Sequence, residues 1–226
     1  MKYRALMLDF YGTLVAEDEV LVARIAERVA GASRRGASAG EVRARWADGF
    51  SRICAGVHGA DFRTQREIEQ ASLEAAAEHF DARIDVAELC AEMFAYWAAP
   101  TPLPGAAEFL SAYDGPICIV SNIDTADLRS AISGLGWELE RVVTSESCRA
   151  YKPRPEMFRA ALAILGCEPS EVLHVGDSPR SDIVGAAGSG IDVAWVNATE
   201  RALPAELAAR PRHTIRSVAE VLPLLG

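Results

Sequence analysis

Ala5-Leu6-Met7-Leu8-Asp9-Phe10-Tyr11-Gly12-Thr13-Leu14 is the stretch on which the fold turns. Its four leading apolar residues read as a buried strand. Asp9 ends that strand, and a tight Gly-Thr turn follows. In open α/β sheets the carboxyl ends of the strands form the ligand crevice. Asp9 is therefore expected to face that crevice as a metal ligand, a nucleophile or both. An isolated strand-ending aspartate is ordinarily a turn cap; three later stretches lift Asp9 above that reading.

Outward from this stretch the chain divides in two. Residues 16–99 carry helical patterns only, the first from Glu17 to Gly31. Ser38 with Glu41 and Thr64 with Glu67 are capping boxes that start the second and third helices, and Asp85 with Glu88 starts a fourth. Pro100-Thr-Pro-Leu-Pro104-Gly105 then breaks the pattern, and strands alternate with helices to the end. Strands are predicted at 117–120, 141–143, 172–175 and 192–196. Helices are predicted at 106–113, 124–135, 155–165 and 179–188, with a last helix capped at Ser217. This alternation predicts an α/β fold: a Rossmann-like parallel sheet with helices on both faces. The core unit is residues 1–15 and 100–226, and residues 16–99 form an all-helical cap inserted after the first strand.

The 226 residues are 50% hydrophobic and 24% charged, a globular profile, with a formal net charge of −9. That acidic balance argues against nucleic acid or an anionic membrane as partner. No apolar run approaches a membrane span. The N-terminal run is short and carries Asp9, so no signal peptide is expected. Five cysteines, odd in number and without metal spacing, point to reduced thiols and a cytoplasmic protein. Only Lys2 and Lys152 are lysine among the 23 basic residues. A lysine is a compact point charge where an arginine is a planar fork, which singles out Lys152.

The chemistry gathers at strand ends. Asp9, Ser121 with Asn122, and Asp177 with Asp182 five residues on all fall at one edge of the predicted sheet, and Lys152 lies on a loop beside it. Separately, Ser121 is an ordinary turn residue, Lys152 a surface lysine and Asp182 a helix first-turn carboxylate. Together they bring a carboxylate, a hydroxyl, an ammonium and an acidic pair to one crevice. The ammonium and hydroxyl suit stabilisation of negative charge on a transferred group. Asp9 and Asp177 would repel each other without a cation, and a few hard oxygen ligands suit Mg²⁺. The four histidines are scattered, His174 is taken as structural, and none pairs with another candidate.

The chain resembles the haloacid dehalogenase superfamily with a helical cap. Asp9-Phe-Tyr-Gly-Thr-Leu14, Ile119-Val-Ser-Asn122, Tyr151-Lys-Pro153 with Phe158, and Gly176-Asp-Ser-Pro-Arg-Ser-Asp182 match its four motifs in order. The resemblance implies a hydrolase with Asp9 as nucleophile and a covalent aspartyl intermediate. It implies roles for Tyr11, Ser121, Asn122, Lys152, Asp177 and Asp182 in catalysis. It also implies Mg²⁺ held by Asp9, Asp177 and the Tyr11 backbone carbonyl. The substrate is expected to be a small molecule, a phosphorylated metabolite or a 2-haloacid.

Two departures divide the enzyme readings. Phosphatases of the family usually carry an aspartate two residues after the nucleophile, a general acid for the leaving alkoxide. Here that place holds Tyr11, as in the 2-haloacid dehalogenases, whose halide leaves without a proton. Asp177 and Asp182 resemble instead the metal-dependent phosphatases. A Mg²⁺-dependent phosphatase is the favoured reading, a 2-haloacid dehalogenase-type hydrolase the alternative, and a weakly catalytic phospho-ligand binder the third. Arg45, Trp46, Phe50, Arg52, Phe62, Arg63 and Arg66 of the cap are candidates to face the crevice.

Overall fold

A computed structural model describes residues 3–207 and 209–225. The opening stretch forms strand β1 (Ala5–Leu8), with all four residues buried. Four helices follow: α1 (Glu19–Gly31), α2 (Ala39–Gly56), α3 (Gln65–His79) and α4 (Val86–Ala98). Then come α5 (Ala106–Ala112), β2 (Ile117–Ser121), α6 (Thr125–Leu135), β3 (Val142–Thr144), α7 (Ser145–Cys148) and α8 (Pro155–Leu165). The described chain continues with β4 (Val172–Gly176), α9 (Val184–Gly188), β5 (Asp192–Val196) and β6 (His213–Ile215).

The strands form one six-stranded sheet in the order β3-β2-β1-β4-β5-β6, parallel throughout. Its period-2 alternation splits the core between two faces. Leu6, Leu8, Ile119, Leu173 and Ala194 pack on one face with Phe109 of α5 and Leu128 of α6. Ala5, Met7, Cys118, Val193 and Trp195 pack on the other with Phe158 of α8 and Ala186 of α9. This is the expected α/β, Rossmann-like arrangement. β1 is flanked by β2 and β4, so its carboxyl end emerges mid-sheet beside two neighbouring strand ends.

The helical stretch forms as its caps predict. Ser38 with Glu41 and Thr64 with Glu67 close complete capping boxes. Asp85 accepts from the Glu88 amide, but the Glu88 carboxylate turns away to Arg28, 2.9 Å distant. The start of α3 is pinned to α6: the amides of Gln65 and Arg66 donate to the Asp124 carboxylate at 2.8 and 3.1 Å. The Arg66 guanidinium pairs with Asp127. No helix among the described residues is long and apolar enough to cross a membrane.

Three sequence expectations are corrected. The last helix, expected after Ser217, is a run of 3₁₀ turns at Val218–Leu225 with Pro223 inside it; proline removes an amide and blocks a regular α-ladder. The helix expected from Pro179 opens with a wide π turn at Pro179–Ile183 before α9, the Ser178 carbonyl accepting from both Asp182 and Ile183. β6 was not expected; its three residues follow Pro211 and carry too short a pattern to register.

Candidate active site

Lys152 is the centre of the site. It is 4% exposed, and its ammonium lies 2.9 Å from Asp9 Oδ1 and 2.7 Å from Asp182 Oδ1. The tight turn after β2 holds its backbone: Asn122 Oδ1 accepts from the Lys152 amide at 2.7 Å, and Asn122 Nδ2 donates to its carbonyl at 3.2 Å. Burial alone would lower the Lys152 pKa, but the charges of Asp182 and Asp9 outweigh it and raise the group above its ordinary value. Lys152 is therefore a fixed cation.

Asp182 anchors that cation. It is fully buried, its Oδ2 accepts from the Ser178 amide at 2.9 Å, and its Oδ1 also meets His174 Nε2 at 2.9 Å. The carboxylate has no proton to give, so Nε2 donates. Burial opposes the Asp182 charge, but Lys152 and then His174 overcome it and hold the carboxyl below the usual range. This corrects the expectation that no histidine pairs with a candidate. His174 and Asp182 stand eight residues apart, and only the π turn and Gly176 fold one under the other. A Cβ at Gly176 would sit 2.3 Å from the Asp182 carboxyl carbon.

Asp9 is pushed up by burial, with Lys152 opposing that push. Asp177 stands opposite, with its carboxyl raised to about 8 by burial first and then by Asp9, Asp182 and Glu17. The opposing cation is Arg201, 3.5 Å from Asp177 Oδ2 and half exposed. Oxygen atoms of Asp9, Asp177 and Asp182 lie within 4.8 Å of one another. With Asp182 committed to Lys152, His174 and Ser178, the donor set with free capacity is Asp9 and Asp177, which fits a hard divalent cation.

Gly12 makes room for Asp177. Its φ is +80°, and a Cβ there would lie 2.6 Å from the Asp177 carboxyl carbon. The positive φ alone costs an L-residue about 1–2 kcal/mol. Gly12→Ala should therefore lower the melting temperature by about 2–8 °C, with a loss of activity as Asp177 is displaced. An unchanged melting curve in a thermal scan would contradict that account.

Tyr11 lines the cavity, but its hydroxyl is turned to the helical stretch. Its hydroxyl donates to the Trp97 carbonyl at the end of α4, and burial raises its pKa. Ser121, 2% exposed, lines the crevice at the end of β2. That crevice is a cavity of about 750 Å³.

The helical stretch supplies one wall of the cavity, but chiefly with residues other than those expected. Of the seven candidates, only Phe50 lines it, with Glu17, Asp18, Cys54, Gln65 and Trp97. Arg66 is spent on Asp127 and lies over the Phe94 ring. Arg52 pairs with Asp48. Phe62 stacks on Tyr151, whose hydroxyl takes the Arg63 carbonyl as acceptor at 2.9 Å. Trp46 is buried, and Arg45 is exposed elsewhere. The sequence reading missed Glu17, taking it as a helix start. The available signal was the acidic run Glu17-Asp18-Glu19 shortly after the Asp9–Leu14 loop.

Comparison with known proteins agrees with this architecture. Pyrimidine 5'-nucleotidase YjjG of Escherichia coli strain K12 is 37% identical over 130 residues, 55% of this chain and 57% of that protein. Pyrophosphatase PpaX of Bacillus velezensis is 31% identical over 103 residues, 46% of this chain and 47% of that protein. The chain spans about half the length of the curated relatives it matches. The crystal structure of the L-2-haloacid dehalogenase RSc1362 superposes with a TM-score of 0.82 at 20% identity, covering 100% of this chain and 99% of that one; this is a likeness of fold. The haloacid dehalogenase-like hydrolase model matches residues 3–190, and the chain belongs to that family.

Proposed function

We propose that the protein is a Mg²⁺-dependent phosphatase of a small phosphorylated metabolite. In this reading residues 16–99 form a cap over a catalytic core of residues 1–15 and 100–226. The observation that carries the reading is Asp177: a half-buried carboxyl whose oxygen lies within 4.8 Å of Asp9's, pushed up to about 8, with no buried cation of its own. Two such carboxylates have a use where a divalent cation joins them. Asp9, Asp177 and the Tyr11 backbone carbonyl would hold Mg²⁺. When bound, the ion would neutralise the carboxylates and the oxygens of the transferring group.

The chain's own residues supply the rest. Asp9 attacks phosphorus through one carboxylate oxygen, and the bond to the leaving oxygen breaks, leaving an aspartyl phosphate. Lys152 and the Ser121 hydroxyl stabilise the charge on the phosphoryl oxygens. Asn122 and Asp182 act through Lys152, as positioning residues. Water then hydrolyses the aspartyl phosphate and frees Asp9.

The wall supplied by residues 16–99 carries Glu17 and Asp18 and no lysine or arginine among the described residues, so the cavity's cationic side chains, Lys152, Arg154 and Arg180, all come from outside that stretch. The test is hydrolysis of a phosphate monoester panel and a 2-haloacid panel, each with Mg²⁺ and with chelator. Phosphate release that chelator abolishes and Mg²⁺ restores is the expected result. Chelator-insensitive consumption of 2-haloacids would replace this reading with the dehalogenase.

A further inference from the structure

We propose that Glu17 is the general acid and base of the reaction, taking the place left vacant by Tyr11. The inference rests on the phosphatase reading and names a group that the four motifs do not contain.

Elimination points to Glu17. Among the titratable groups that line the cavity, Asp9 and Lys152 are bound to each other, and Asp177 faces Asp9 as a ligand. The hydroxyls of Tyr11 and Tyr151 donate to backbone carbonyls. Asp18 accepts from the Trp97 indole at 2.8 Å. Burial pushes the Cys54 thiol up to about 12, keeping it protonated and inert. Arg154 and Arg180 are tied to Glu156 and Glu206 at 3.0 and 2.9 Å, and guanidinium does not give up a proton. The Glu17 carboxyl alone among these acids has no hydrogen-bond or ion-pair partner among the described residues.

Its backbone is nevertheless fixed. The Tyr96 hydroxyl donates to the carbonyls of Ala16 and Glu17 at 2.9 and 3.2 Å, and the Ala16 amide donates to Thr101 at 2.8 Å. A free carboxyl on an anchored backbone, in the cavity that holds the nucleophile, is suited to proton transfer. Its acidity points the same way: crowding by the cavity wall first, then the charges of Asp9, Asp18 and Glu19, raise it above the ordinary carboxyl value, with Arg201 opposing, while the residue stays open to solvent. A general acid works best when its pKa lies near the working pH.

The proton balance closes. As Asp9 forms its bond to phosphorus and the ester P–O bond breaks, neutral Glu17 gives its proton to the leaving alkoxide. Glu17, now a carboxylate, takes a proton from the water that attacks the aspartyl phosphate. The bond to Asp9 breaks, phosphate leaves, and Glu17 is neutral again.

The test compares Glu17→Gln with wild type on an alkyl and an aryl ester, glycerol 2-phosphate and 4-nitrophenyl phosphate, with Mg²⁺ present. On the alkyl ester the variant should be slower by ~10²–10⁴-fold, the usual worth of a positioned acid. On the aryl ester it should release one equivalent of 4-nitrophenolate at the wild-type rate and then stall as aspartyl phosphate. That leaving group needs no proton, but the second step still lacks its base. Glu17→Asp, which keeps the acid on a shorter arm, should recover part of the alkyl rate. Alkyl turnover within threefold of wild type in Glu17→Gln overturns the proposal. So does loss of the aryl burst together with alkyl turnover, which would mark Glu17 as a binding or structural residue. A wild-type protein that cleaves neither ester overturns the phosphatase reading itself.

Discussion

Asp9→Asn is expected to reduce turnover of any phosphate ester by at least about 10³-fold, the scale on which removing a nucleophile acts. The carboxamide matches the carboxylate in size but lacks the charge that attacks. The fold should hardly notice. Lys152 keeps its 2.7 Å contact with Asp182, and a neutral group at position 9 relieves the burial penalty that raises the Asp9 carboxyl. Steady-state assays beside a thermal melt check both halves. More than a tenth of wild-type activity in pure variant would rule out a covalent role for Asp9.

Lys152→Met should remove activity and also destabilise the fold by about 3–5 kcal/mol, the cost of leaving buried charge without its partner. For a chain of this size that corresponds to a melting temperature lower by about 6–20 °C. The pH dependence follows from the two shifts. Asp182 is held below its ordinary pKa, so its contribution is present above about pH 4 and is lost as pH falls through the folded value. Lys152 is raised, so its contribution is present below about pH 10 and is lost as pH rises through the folded value. The gap between wild type and variant should thus be widest from about pH 4 to 10 and should narrow in acid. Adding Asp182→Asn to Lys152→Met should restore much of the stability and none of the activity. A double variant no more stable than Lys152→Met would show that lost packing, not stranded charge, causes the defect.

What the chain discloses before folding depends on how local the cause is. β1 was legible because four consecutive apolar residues must be buried on both faces of a parallel sheet. The starts of α2 and α3 were legible because a capping box lies within four residues. The convergence of Asp9, Ser121, Lys152 and Asp177 was legible through the rule that strand ends share an edge. His174 was not, because its partner reaches it only through the π turn that returns Asp182 beneath β4. The arginines of the helical stretch misled because their partners, Asp127 for Arg66 among them, lie on remote elements that spacing does not reveal. Glu17 was read as a helix start, since nothing local distinguishes a cavity carboxyl from a solvated one.

The strand order has a consequence in time. β1 leaves the ribosome well before the residues it pairs with, which lie at positions 117–119 and 172–175. At ~5–20 residues per second, its last neighbour emerges on the order of 10 s later. Until then a wholly apolar tetrapeptide, with Asp9 at its tip, has no sheet to enter. The helices of residues 19–98 rest largely on contacts close in sequence and can form meanwhile. Closing the centre of the sheet is then a late, long-range event that completes the catalytic edge in one step, so nascent chains short of residue 176 should be inactive and prone to chaperone capture.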